Sequence, residues 1–291
     1  MDKQSRKMRT PLKILALSSF LVAGSAFACY CHYGTVVVKK FYDANLNGTQ
    51  DVGEPALLGW PMTLESASKS ISSTRPSTAT FGSVPIASDY SVREASPIQP
   101  NWVQTAPRDS SNAPINPLTG VVVTAGHVTR IAFGNYCTKP SGGRTPGFWS
   151  NQNGLNKLMD GGTLAPEFTL LSNLNLRDAN GLDFDPVTYP QFRTWLLAST
   201  ATNMAYKLSS HLAAMRLNVE GGFVNGNRIY APFGGTINQL MTLANNSLLS
   251  DPLTPDGHPE RAYQEQLKNY LDALNNGAAV VSPSPCAYSF E

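Results

Sequence analysis

The sequence predicts a multidomain chain, an all-β sandwich followed by a mainly α-helical domain, behind an export leader. Three observations predict it. Residues 34–136 are short β-branched runs broken by Pro, Gly, Ser and Asn; after Cys137 the apolar period lengthens from two to between three and four; and the first 28 residues run basic, then apolar, then small.

In the leader, "MDKQSRKMRTPLK" is basic, "ILALSSFLVAG" is apolar and "SAFA" ends in the small-x-small pattern of a signal-peptidase site. A signal peptide over residues 1–28, cut after Ala28, is the expectation. A bilayer span needs about 20 apolar residues, which neither this run nor any later one offers. The mature chain is therefore expected to be secreted without a transmembrane segment, with a periplasmic, extracellular or cell-surface destination. The leader sets Lys3, Arg6, Lys7, Arg9 and Lys13 against Asp2, a net +4, so the formal +2 of the whole chain becomes −2 without it. That balance argues against a nucleic-acid partner.

Outside the cytosol the four cysteines are expected to pair. Cys137 and Cys286 bracket the helical region and are the favoured pair. The "CYCH" stretch leaves several readings open: a local or intermolecular disulfide, a metal site of Cys29, Cys31 and His32 that falls short of the four ligands of structural zinc, or lipidation of Cys29.

The runs "TVVVKKFY", "GWPMTLES", "TATFGSV", "DYSVREA", "GVVVTAG" and "HVTRIAFG" give the sandwich, over residues 29–137. The Ser/Thr-rich "SASKSISSTRPSTAT" reads as an exposed hairpin. Residues 138–147, "TKPSGGRTPG", read as a linker to a helical domain over 148–291. There, Leu197, Ala201, Met204, Leu208, Leu212, Met215 and Val219 form one stripe, predicting a long helix from near Tyr189 to Gly221. Ile237, Leu240, Met241, Ala244 and Leu248 repeat the stripe behind Thr236 as N-cap. A third helix has Pro259 in its first turn, Tyr263, Leu267, Tyr270, Leu271 and Leu274 on its buried side, and Gly277 as its stop.

Between the first two runs lies "FYDANLNGTQDVGEP". Counting from Asp43, the oxygen-bearing residues Asn45, Asn47, Thr49, Asp51 and Glu54 fall at the third, fifth, seventh, ninth and twelfth positions, with Gly48 at the sixth. A hard dication needs six to eight oxygens and a chain that winds round it, which this order supplies: Gly48 bends the loop, Thr49 offers its carbonyl and Glu54 closes the cage. The site residues expected for calcium are thus Asp43, Asn45, Asn47, Thr49, Asp51 and Glu54. A strand enters this loop and Pro55 discourages an exit helix, so it sits in a β domain and is not an EF-hand. Calcium is expected to act structurally, offsetting the repulsion of three carboxylates.

Together with "YSVREASP", "NWVQTAP" and "FGNYC", this segment resembles the SdrD B-like, Cna B-type repeats of bacterial surface proteins, across about residues 34–137. The resemblance implies an Ig-like or prealbumin-like sandwich that serves as a calcium-stiffened spacer and is not an enzyme. Here there is one copy and no wall-anchor motif. Cna B-type domains also carry, in some members, a lysine–asparagine isopeptide bond beside a catalytic acid, and Lys39 or Lys40, Glu94 and Asn135 occupy similar places. The expectation preferred here is that both lysines flank the calcium loop in solvent.

In the helical region, "TPGFWSNQNG" and "LDALNNG" resemble a segment of uncharacterised secreted bacterial proteins, which implies no activity. Phe148 and Trp149 are read as core plugs, with sugar stacking as the other option. Asp178, Asn180, Asp183 and Asp185 fit no standard calcium spacing. His211 and His258 have no ligand partner nearby in sequence. No G-x-S-x-G, H-E-x-x-H, Walker or dinucleotide motif is present, and Ser66 with Lys69 forms S-x-x-K only on a hairpin. The expectation is a non-enzymatic adhesion, binding or structural protein. Its partner would be an extracellular ligand, a glycan or a surface protein, and its oligomeric state is open. The alternative is a secreted hydrolase acting on glycans, with its site in the helical half.

Overall fold

A computed structural model describes residues 32–291; the leader, its cleavage point and the pair Cys29 and Cys31 lie outside the described residues. Strand β1 (Tyr33–Tyr42) sets the frame. Side chains alternate along a strand, so Val36, Val38, Lys40 and Tyr42 all turn inward and are buried, whereas Lys39 is exposed. The expectation of two solvated lysines is thus corrected for Lys40. Alternation from Val36 carries it into the core whatever its charge.

The strands that follow are β2 (Pro61–Ser66), β3 (Ile71–Pro76), β4 (Ala79–Pro85), β5 (Ala87–Glu94), β6 (Trp102–Ala106), β7 (Leu118–Val123) and β8 (Val128–Pro140). One sheet runs β3-β2-β5-β7, all antiparallel, and its β2–β3 hairpin carries the Ser/Thr-rich segment. The other centres on β8, which pairs in parallel with β1 from Thr35↔Val128 to Tyr42↔Asn135 and antiparallel with β6 further on; β4 closes the far side of β1. Both sheets contribute to one apolar core: Val36, Val38, Phe81 and Phe133 from one, Met62, Leu64, Tyr90 and Val92 from the other.

The helical half holds α1 (Pro146–Trp149), α2 (Gln152–Leu158), α3 (Ala165–Ser172), α4 (Tyr189–Ala198) and α5 (Met204–Glu220), then the short strands β9 (Ile229–Tyr230) and β10 (Gly235–Thr236), then α6 (Ile237–Ser250) and α7 (Arg261–Asn275). The fold is therefore mixed β and α, with seven helices among the described residues. Helix α5 is the hub: Leu208, Leu212 and Met215 are buried between the α6 and α7 stripes.

One long helix was expected where α4 and α5 stand. The break falls at Ser199–Asn203, where the polar side chains compete for backbone groups and Asn203 caps α5 by accepting from Ala205 N. Leu197 consequently lies 57% exposed, off the stripe. Helix α6 starts as expected, with a reciprocal capping box between Thr236 and Gln239. In α7, Pro259 falls in the preceding turn, Gln264 takes the buried place and Tyr263 is exposed. Gly277, at φ 86°, ends that helix through Gly277 N–Leu274 O and Ala278 N–Ala273 O bonds, a glycine C-cap with both orphan carbonyls satisfied.

The chain then returns to the β half. Strand β11 (Ala279–Val281) pairs antiparallel with the last residues of β8, from Thr138 to Pro140, the segment read as the start of a linker. A disulfide joins Cys137 to Cys286 with Cα atoms 6.1 Å apart, bracketing the helices as the sequence favoured. Phe148 and Trp149 do plug the core: Trp149 is buried and donates through Nε1 to Asn218 Oδ1, and both rings stand edge-on to Phe223.

Candidate functional site

Three inward positions of the two sheets that share the β core are polar. Each continues an apolar alternation: Lys40 after Val36 and Val38 on β1, Glu94 after Tyr90 and Val92 on β5, and Asn135 after Phe133 on β8. The parallel register of β1 and β8 pairs Lys40 with Phe133 and Tyr42 with Asn135, so Asn135 lies one diagonal step from Lys40 on the same face, and Glu94 reaches both from the facing sheet. Lys40 Nζ donates to Glu94 Oε2 and to Asn135 Oδ1, and Asn135 Nδ2 donates to Glu94 Oε1 at 3.2 Å, so the three side chains close a ring. The Trp60 indole covers the amine, with Nζ 4.4 Å from the ring centroid.

Burial decides the electrostatics. Desolvation pulls the Lys40 amine down to about 8, against the pull of Glu94 in the other direction, and desolvation raises the Glu94 carboxyl against the opposing pull of Lys40. Both shifts favour the uncharged pair, an amine and a carboxylic acid. An uncharged amine is a nucleophile. The carbon it would meet is the amide carbon of Asn135, and Glu94 touches both the attacking nitrogen and the nitrogen that would leave.

The calcium-type loop is built directly onto this cluster. Asp43 N donates to Asn135 O at 2.9 Å, and Leu57 N returns the chain to Lys40 O at 3.0 Å. Asp43 is fully buried, and its carboxylate accepts from Asn47 N at 3.1 Å and Gly48 N at 2.8 Å. Gly48 takes φ 79°, the left-handed bend the sequence order requires. The amide groups of Asn45 and Asn47 both reach Asp51 Oδ2 at 2.6 Å, and Thr49 donates to Asn47 Oδ1 from its amide and its hydroxyl. Glu54 closes the ends, accepting from Ala44 N at 2.7 Å and Asp51 N at 3.0 Å.

The donor set fits a hard dication in kind, since all six residues offer oxygen. Among the described residues no three His, Cys, Asp or Glu side chains gather closely enough to hold a metal. A cation in this loop would therefore depend on the Asn oxygens and the Thr49 carbonyl as much as on the carboxylates.

Elsewhere the candidates resolve into structure. Asp178 Oδ1 accepts from Asn180 N and Leu182 N, and Asp183 pairs with Arg177. Ser66 bonds the Asp89 carboxylate, and His258 Nδ1 accepts from Glu260 N. His211 is buried beside Asp272. A cavity of about 210 Å³ between α2, α3 and α5 carries Asp160, Glu167 and Glu220, but Asp160 is bonded to Lys157 and Glu220 faces Arg216.

No protein family matches the chain, and no curated protein does. Among solved structures it is similar to one described as the Bacillus anthracis TIE protein, at 15% identity over 37% of this chain and 17% of that one, with a TM-score of 0.26. So small an overlap transfers neither fold nor activity.

By resemblance Lys40, Glu94 and Asn135 occupy the places of an isopeptide site, while the lysine charge alone argues for solvent. The signal that finds them is the alternation itself. A charged residue two places beyond Val38 on a strand whose odd partner is Lys39 must put one lysine inside.

Proposed function

We propose that residues 34–137 are a self-locking sandwich of the Cna B type, within a secreted, non-catalytic protein that acts at the cell surface or in the extracellular matrix by adhesion, binding or as a structural module. The observation that carries this is the closed ring of Lys40, Glu94 and Asn135 in an apolar core. Two ionisable groups buried together cost several kcal/mol in desolvation, and an apolar pair would serve stability as well. A chemical use accounts for their presence.

The step balances within the chain. From the uncharged pair, Lys40 Nζ attacks Asn135 Cγ; Glu94 gives its proton to Nδ2 and takes one from Nζ; and the new C–N bond remains as the Cγ–Nδ2 bond breaks and Nδ2 leaves as ammonia. The product is an amide joining neighbouring strands, with no oxidant and no turnover. By chain entropy, a link across 95 residues is worth about 4 to 5 kcal/mol. The Asp43–Glu54 loop, anchored to both linked strands, adds calcium-dependent stiffness.

Intact mass tests the link. The chain should be lighter than the sequence of its mature form, after the disulfide is counted, by about 17 Da, the mass of released ammonia, and Glu94→Gln and Lys40→Ala should each show the full mass of their own sequence. Full mass in the unaltered chain would end the proposal. A panel of glycans separates the hydrolase alternative: turnover would favour an enzyme, and saturable binding without turnover the adhesive module.

A further inference from the structure

The cluster is covered from outside by a segment that belongs to neither sheet. Residues 286–291 leave the disulfide and run back over Trp60. Trp102 Nε1 donates to Ala287 O at 3.3 Å, Tyr288 Oη to Leu58 O at 2.6 Å, and Ile98 N to Ser289 O at 3.0 Å, while Ser289 N bonds Gln99 Oε1 at 2.9 Å. The rings of Tyr288 and Phe290 both stand 5.0 Å from Trp60, and Trp102 closes a third side at 5.3 Å. Trp60 is thereby fully buried, clamped between this segment and the Lys40 amine.

Phe290 and Glu291 also wall a cavity of about 620 Å³ that reaches Glu94 and Asn116. That cavity already faces solvent; what the segment shields is the outer face of Trp60, which would meet bulk water without it. We propose that residues 286–291 are the lid of the Lys40–Glu94–Asn135 site, seating Trp60 on the amine and keeping water from it, so that the strands become joined faster once the lid is down. This rests on the cross-link proposed above.

The physical reason is solvation. Burial enlarges the uncharged fraction of Lys40; hydrated, the amine would return toward about 10.4 and that fraction near pH 7 would fall by roughly a hundredfold. The charged groups that bear on this are Glu94 from β5, in contact with the amine, and Arg93 and Glu291 around the cavity at Glu94.

The test follows newly made protein by intact mass over time, in the full chain, in a chain ending at Ala287 that keeps Cys286, and in Tyr288→Ala with Phe290→Ala, which keeps the backbone. Expected is a loss of about 17 Da in all three, at least tenfold slower in the two altered chains and recovering toward the wild-type rate above about pH 9, where a hydrated amine begins to deprotonate. Equal rates would overturn the lid, as would slow rates that no rise in pH relieves, since those mark a folding defect. If the unaltered chain never loses the mass, the cross-link reading itself falls and the lid with it.

Discussion

The two halves of the molecule bury polar groups in different ways. In the helical half every one of the larger buried amides has hydrogen-bond partners: Asn218 holds Arg144 N and O, Trp149 Nε1 and Asn275 Oδ1, and Asn203, Thr254 and Gln264 tie α5 to α7. These groups are neutral and need no proton transfer. In the β half, the buried polar groups include an amine and an acid in contact, Lys40 and Glu94, which burial drives toward neutrality. Networks of amides fix a unique packing; an amine beside an amide and an acid can go further and change its bonds.

The largest expected effect breaks the β half. Glu94→Gln should keep Lys40 unlinked and lose about 4 kcal/mol, roughly 10 °C in melting temperature, with the missing mass change as its signature. A loss under 1 kcal/mol in a chain of full mass would mean the cluster is only packing. Next, Asn218→Ala should cost about 3 kcal/mol in urea unfolding, because several buried partners are orphaned at once, while leaving the mass of the β half unchanged. Calcium comes third. A hundredfold excess over its dissociation constant should stabilise the wild type by about 2.7 kcal/mol, and Asp43→Ala with Glu54→Ala should lose that response to added calcium and chelator. An unchanged melt in the wild type would leave the loop as a self-bonded turn.

The smallest effect sharpens the contrast from the helical side. His211 Nδ1 has no hydrogen-bond partner among the described residues and lies 3.7 Å from Asp272. Burial lowers its pKa to about 4, with Asp272 opposing. Since the unfolded chain takes up that proton near pH 6.5, stability is intact above that value and is lost as the pH falls toward 4. Between pH 7.5 and pH 5 the loss should be about 2 kcal/mol, and His211→Gln should remove that slope in denaturant melts at the two pH values.

Much of this was legible in the sequence, for local reasons. The α6 stripe and its Thr236 cap, the Gly277 stop and the β2–β3 hairpin follow from rules that act within a few residues. The pairing of Cys137 with Cys286 followed from their placement around the helices. The break before α5 was hidden because the apolar stripe runs on through it, and only the cluster of Ser199, Thr200, Thr202 and Asn203 marks it. Lys40 needed one more step, applying strict alternation to a residue whose charge argued for solvent. The cover supplied by Tyr288 and Phe290 had no local signal at all, since it depends on where a chain returning from the helices meets Trp60.

The parallel β1–β8 register has a mechanical consequence. Were Lys40 joined to Asn135 as proposed, with Cys137 joined to Cys286 two residues along the same strand, tension entering at Tyr33 and leaving near Cys286 would have a short covalent route. It passes along β1 to Lys40, crosses to Asn135, and steps through Cys137 to Cys286. The intervening loops of 95 and 149 residues hang outside that route. Pulled at those points, the molecule would behave as a nearly inextensible tether, where an unlinked chain would pay out about 3.5 Å for each of those residues.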